Sequence, residues 1–347
     1  MRSFHAALRR SATALFVSVA ATALGISSAF AESVNVYSAR QEALIKPVLD
    51  QFTEETGIEV NLVTGKDDAL LTRLQSEGRN SPADVLLTVD AGRLYRAREA
   101  GVLQPIKSEY LEEVIPGNLR DDEGYWYGLS VRARVIAYAT DRVDPEELST
   151  YEALTDDKWR GRICVRSSGN IYNQSLVASM LSTQGEAATE DWIEGLVANF
   201  ARPPQGGDRD QIKALAAGQC DVALVNSYYY GAMLQSDDPE EKAAAEQAAI
   251  FFPNQDGRGT HINVSGAGVT QSARNIEEAT ALIEFLAGPE AQHWYAETNN
   301  EYPANANVEP SALLESWGDF TADSVDVTEL GRLNAQAVMA MDRANWK

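Results

Sequence analysis

The chain has 347 residues, with 51 acidic side chains against 29 basic ones and a formal net charge of −22. So acidic a surface excludes nucleic acid and anionic lipid as partners, because both repel it. With two cysteines, no CxxC spacing and three histidines in all, a zinc site built from thiolates and imidazoles is excluded as well.

Residues 1–31 read as an export signal. Arg2, Arg9 and Arg10 make a basic start, 12–26 is a short run of apolar and small residues, and Ala29-Phe30-Ala31 fits the small-x-small cleavage rule, with Glu32 as the new N-terminus. There is no lipobox cysteine, and no later apolar run approaches the ~20 residues of a spanning helix. Cleavage leaves 316 residues carrying 51 acids against 26 bases, a length that suits two cores better than one. In an oxidising compartment Cys164 and Cys220 form one disulfide if their strands are neighbours, a condition that spacing does not decide.

Short apolar runs alternate with amphipathic stretches through the rest of the chain. Strands are predicted at 34–37, 58–63 and 84–89. Helices are predicted at 43–56, with Leu44, Val48, Leu49 and Phe52 on one face and Gly57 as C-cap, and at 69–78 and 94–99. This βαβαβ rhythm predicts a parallel sheet covered by helices. A strand at 135–138 opens a second set, with a strand at 163–165, helices at 171–182, 190–198 and 210–217, and a strand at 222–225. The patch at 237–249 reads as an N-capped surface helix, 259–269 as a returning strand, and 276–286 and 290–298 as helices. The expected fold class is α/β in two lobes with a ligand cleft between them. Two crossing strands, near 131–138 and 260–264, form the hinge. The expected division is a signal peptide at 1–31, an N-lobe at 32–131 to which 263–307 returns, and a C-lobe at 132–262 joined by C-terminal helices in 308–347.

In open α/β sheets, ligands bind beyond the carboxyl ends of the strands. Three segments place polar groups there: 37–41 with Tyr37, Arg40 and Gln41; 167–175 with Tyr172; and 226–230 with Tyr228, Tyr229 and Tyr230. In the second and third, tyrosines fall in or just before the first turn of a helix. Unpaired N–H groups and the helix dipole favour negative charge there by roughly 0.3–1 kcal/mol. That assists a phenolate without ionising it, since a phenol holds its proton to a pKa of about 10. A trivalent cation supplies the difference. Fe(III) is the abundant ion with that Lewis acidity, and three phenolates cancel its three charges, so the cleft buries a neutral complex. The competing reading of the tyrosines is an aromatic platform for a sugar or an organic cation. There is no Ser-His-Asp order, P-loop, Rossmann glycine fingerprint or paired acid motif, so an enzyme is not predicted.

The stretches Val36-Tyr-Ser-Ala-Arg40, 81–90, 131–136, 167–175, Asn226-Ser-Tyr-Tyr229, 259–266 and Glu301-Tyr-Pro303 carry a resemblance over essentially all of the mature sequence. Asn170-Ile-Tyr-Asn-Gln174 and the Asn226-x-Tyr-Tyr229 pattern are its specific parts. On these the chain resembles the periplasmic ferric-ion-binding proteins of bacterial ABC iron importers, which are transferrin-like type II solute-binding proteins. The resemblance implies capture of Fe(III) and its delivery to an inner-membrane ABC permease with its ATPase, by a monomer and without catalysis. It implies Tyr228 and Tyr229 as metal ligands, Tyr172 as a third, and Tyr230 as packing.

Many relatives have a His or a His-Tyr pair where this chain has Gln41 and Glu42, and some have a glutamate where it has Val89, so the N-lobe lacks the usual ligands. The resemblance includes members that hold a synergistic anion, such as carbonate, against arginine. Arg40 and Arg132 are the candidates here, because guanidinium presents a fork matched to such anions; ion pairing is the competing reading, and Arg134 is a third candidate. Gln41 and Asp90 are candidates for the layer behind the ligands, a helix cap being the alternative for Asp90. Glu42 is expected to face solvent, His261 to be structural, and Tyr37 to lie half-buried under the cleft. The alternative function on the same fold is a binding protein for a small organic or oxyanion solute.

Overall fold

A computed structural model describes residues 32–347; the predicted export signal lies outside them. No helix among the described residues is long and apolar enough to cross a membrane. The first elements are β1 (Ser33–Ser38), α1 (Lys46–Thr56), β2 (Glu59–Thr64), α2 (Asp67–Glu77), β3 (Val85–Val89) and α3 (Ala91–Glu99). Helix α1 buries Val48, Leu49 and Phe52 and stops at Gly57, whose φ of 77° is the left-handed conformation that glycine adopts without a Cβ clash. Leu44 falls outside α1, in a separate 3₁₀ turn, because Pro47 favours the first turn of a helix rather than its interior.

Helix α4 (Glu109–Val114) precedes β4 (Tyr127–Ala139), and β5 (Ile163–Cys164) leads into α5 (Ile171–Gln184), α6 (Glu186–Ala198) and α7 (Asp208–Ala216). Strand β6 (Val222–Asn226) runs directly into α8 (Ser227–Leu234). Then come α9 (Pro239–Glu246) and β7 (Ala248–Phe251), so the patch at 237–249 is only partly helical. Asp238 caps α9, as an Asp before Pro predicts, but the end of the patch becomes an edge strand against β4. The chain closes with β8 (Ile262–Val269), α10 (Ile276–Ala287), α11 (Pro289–Thr298), β9 (Tyr302–Pro303), α12 (Ala312–Glu315), α13 (Thr328–Arg332) and α14 (Asn334–Arg343).

The strand order is β2-β1-β3-β8-β4-β6-β5, with β7 and β9 also paired to β4. Strands β1, β2 and β3 are parallel to one another, as are β5 and β6. The parallel group expected from the first βαβαβ run is thus present, and β8 inserts antiparallel between β3 and β4. Strand β4 begins eight residues earlier than predicted. Gly128, Ser130, Arg132 and Arg134 interrupt its apolar run, yet all of them are paired or enclosed, and the burial pattern of β4 is almost continuous. Its first half pairs β8, with Val131 opposite Val264 and Arg132 opposite Asn263; its second half pairs β6, with Arg134 opposite Asn226. One strand thus joins the two strand groups, and β8 lies beside it. Cys164 and Cys220 are bonded, at a Cα separation of 5.8 Å, and tie β5 to the approach of β6. Helix α14 packs on α5 and α6, while α13 lies against both α3 and α5.

Candidate metal centre

The carboxyl ends of β5 and β6 point into the same space, and each strand leads to a helix with tyrosine in its first turn. Asn170 caps α5 by accepting the backbone N–H of Tyr172, which fixes that residue in the first turn. Strand β6 is buried along its whole length and places Tyr228 and Tyr229 in the first turn of α8. The Tyr228 hydroxyl donates to the Tyr172 hydroxyl over 3.3 Å. The Tyr228 and Tyr229 rings lie 4.2 Å apart, centroid to centroid. Tyr230 turns away, donates to the Ala248 carbonyl at 3.1 Å and packs on Trp317.

Tyr172, Tyr228 and Tyr229 line one cleft of about 710 Å³. Burial pushes the hydroxyls of Tyr172 and Tyr228 well above the ordinary phenol range; the nearby Tyr229 pushes both the same way, and Arg132, with the Tyr228 hydrogen bond in the case of Tyr172, pulls back. Both are therefore neutral phenols at pH 7 until a cation displaces their protons. No group of three or more His, Cys, Asp or Glu side chains among the described residues could hold a metal ion, which leaves phenol oxygens as the convergent hard donors of the cleft.

Across the cleft stand Arg40, Gln41, Asp67 and Val89. Arg40 is buried, ion-paired with Glu301, and donates to Ser130 at 3.0 Å. It is at once a cleft-lining cation and half of an ion pair, so both readings of it coexist. Arg132 stands elsewhere. Its guanidinium lies 5.6 Å from the Tyr172 ring centroid and 3.6 Å from the Asp90 carboxylate, in a small gap shared with Arg134, Asn226, His261 and Asn263. It backs Tyr172 rather than lining the cleft.

Arg134 donates to Asp208 (2.6 Å), Asn226 (3.0 Å) and Asn173 (2.7 Å), bracing the starts of α5 and α8 together. Gln41 is exposed on the cleft wall, whereas Asp90 is wholly enclosed and caps α3 through the Gly92 N–H at 2.9 Å. Glu42 faces solvent and His261 is buried, with burial first and the surrounding arginines second in holding its imidazole well below the ordinary value. The expectation for Tyr37 is corrected: it is fully buried, away from the cleft lining, and its hydroxyl donates to Glu77 at 3.0 Å, under the Arg73 guanidinium.

Among the charged residues of the cleft that sequence reasoning missed are Asp67, Arg166, Asp208 and Glu301. Arg166 lies over the Tyr172 ring, 5.5 Å from its centroid, and pairs with Asp208. Its place at the carboxyl end of a strand, one residue before the 167–175 segment, was the available signal. Asp208 carried no local signal, because it is defined by partners distant in sequence; Glu301 stood in a stretch that carried the resemblance, but its pairing with Arg40 is not local.

A family model described as bacterial extracellular solute-binding protein matches residues 80–318. The iron uptake protein A1 of Synechocystis sp. is 51% identical over 316 residues, covering 91% of this chain and 88% of that protein. The solved structure of the Trichodesmium protein IdiA (FutA) in complex with iron and citrate ligands matches with a TM-score of 0.89 at 52% identity, covering 91% of this chain and all of that one. The ferric binding protein from Campylobacter jejuni matches with a TM-score of 0.86 at 37% identity, covering 90% of this chain and 100% of the other. The α/β fold described above is thus that of the two-lobe periplasmic binding proteins.

Proposed function

Because the chain belongs to the bacterial extracellular solute-binding protein family, we propose that it captures Fe(III) in the periplasm and hands it to an inner-membrane ABC permease and its ATPase. Capture is by the phenolates of Tyr172, Tyr228 and Tyr229. The observation that carries this reading is the convergence of three tyrosines from two helix starts on one cleft, with two hydroxyls 3.3 Å apart. A sugar platform needs ring faces; here two hydroxyl groups meet edge to edge, which is what a shared cation requires. The relatives named for iron uptake and ferric binding support the same ion.

Three phenolates fill half of an octahedral Fe(III) shell. The opposite wall offers Gln41, Val89 and Asp67, whose carboxylate already accepts the Thr88 hydroxyl and faces the Arg93 guanidinium at 3.4 Å, so a small anion such as carbonate, held by Arg40, completes the shell in this reading. Arg132 acts from behind, through the Tyr172 ring. We assign residues 32–131 and 263–307 to one lobe, and 132–262 with the C-terminal helices to the other, closing about β4 and β8. The protein catalyses no reaction, works as a monomer and reaches the periplasm by loss of residues 1–31.

Tyrosinate–Fe(III) complexes absorb visible light. The purified protein given ferric citrate is expected to turn orange to purple, and Tyr228→Phe or Tyr229→Phe to lose that band along with most of the affinity. A colourless protein with no ferric binding in calorimetry refutes the function. Wild-type binding by both variants refutes the site.

A further inference from the structure

We propose that Asp90 is a positioning residue for the tyrosine site, tying the helix that carries Tyr172 to the two strands on which the lobes turn. The inference rests on the ferric reading above and adds a residue outside the cleft. Asp90 has no exposed surface. Its φ of 83° is a backbone conformation that a residue with a side chain keeps only where its surroundings over-determine it. A helix cap alone asks for one contact, from Oδ1 to the Gly92 N–H. Asp90 makes three more. Oδ1 also accepts the Ser175 hydroxyl at 2.8 Å, Oδ2 accepts the Asn263 amide at 2.9 Å, and Oδ2 faces the Arg132 guanidinium at 3.6 Å. Its backbone N–H donates to Val264 at 2.9 Å.

These partners come from α5, β8 and β4, and two of them flank Tyr172. Ser175 lies one turn beyond Tyr172 on the same helix, and Arg132 backs the Tyr172 ring. A neutral Ser or Asn cap has too few acceptor lone pairs to serve all four groups; a carboxylate has enough. The packing around the cap is close. A Cβ on Gly92 would meet the Asp90 carboxylate at 3.1 Å, and one on Gly331 would overlap Tyr95 at 2.3 Å. The start of α3 therefore meets α13 at near-backbone distance, and the Ile171 side chain of α5 touches the same turn. Movement between β4 and β8 reaches Tyr172 through Asp90 and not only through the cleft.

The test uses Ser175→Ala, which removes one hydroxyl and leaves the charge and the cap, beside Asp90→Asn. Iron loaded from ferric citrate is withdrawn by a competing chelator while the visible band is followed. Both variants are expected to release iron about tenfold faster, the effect of losing one hydrogen bond to a charged group, and to shift the band because the Tyr172 oxygen sits differently on the metal. Lower melting temperatures with wild-type band position and release rate would reduce Asp90 to a helix cap and overturn the proposal. If Asp90→Asn does not fold, Ser175→Ala decides alone. If wild-type protein develops no band, the ferric reading has failed and this role falls with it; a wild-type band with unaltered variants rejects the role of Asp90 only.

Discussion

Iron binding should weaken steeply as the pH falls, and the slope follows from the two phenols whose protons the structure holds in place. Burial raises both Tyr172 and Tyr228, so each is neutral at pH 7 and each must surrender a proton to a ligating metal. The sign is fixed: a raised phenol value favours the protonated form, acid supplies the competitor, and affinity drops on the acid side. These two phenols alone correspond to about a hundredfold loss of affinity per pH unit, or roughly 2.7 kcal/mol, as a minimum for a site of three phenolates. The assay is competition against a chelator of known protonation between pH 8 and 6, beside direct titration of protons released in weakly buffered solution. Two or more protons per ferric ion are expected. Fewer than one proton per ion, with affinity flat across that range, would mean that the metal is not bound by these hydroxyls. Tyr172→Phe should lower the slope by one. A change in affinity with the slope intact would place Tyr172 beside the metal rather than on it.

Other perturbations test the scaffold and the facing wall. Asp208→Asn keeps an acceptor for the Asn226 N–H but leaves Arg134 without its anion; about 3 kcal/mol should be lost in urea unfolding, and a loss under about 0.5 kcal/mol would show that the charge is not what braces the two helix starts. Withdrawing bicarbonate should lower ferric affinity reversibly, and Arg40→Lys, which keeps the charge and loses the fork, should blunt that response; identical affinities with and without carbonate would refute an anion-completed shell. Replacing Cys164 and Cys220 together by serine should cost about 4 kcal/mol of stability by the loop-closure argument, for a bridge spanning 56 residues, and an unchanged unfolding midpoint would refute it.

Much of the fold was legible because its signals are local. Helix α9 announced itself through Asp238 and Pro239, and α1 through Gly57, since capping and turn preferences act within a few residues. The first half of β4 was not legible. Arg132 and Arg134 look like surface residues until Asp90 and Asp208 arrive from elsewhere to neutralise them. The antiparallel insertion of β8 was hidden for the same reason: pairing between β3 and β8 joins residues about 180 positions apart, and nothing in either segment specifies its neighbour. The tyrosines stood out because a strand ending in Asn226 and a cap at Asn170 fix their positions locally.

The two sides of the cleft differ in the same way. On the tyrosine side each donor is fixed by its own helix start, so residue type and position coincide in the sequence. On the opposite side Arg40 is meaningful only with Glu301, which lies 261 residues away. That pair decides what the wall can offer. A lone guanidinium would draw any anion strongly; one already neutralised by Glu301 and hydrogen-bonded to Ser130 has less charge to give and a more fixed direction. An anion joining Fe(III) there gains less from Arg40 than from the metal, so it should bind weakly without iron and tightly with it. Bicarbonate binding to the metal-free protein, measured by calorimetry, is therefore expected to be undetectable below millimolar concentrations, where binding free energies fall to about 4 kcal/mol. Tight binding to the metal-free protein would mean that the anion site is preformed and that the Arg40–Glu301 pair opens to receive it.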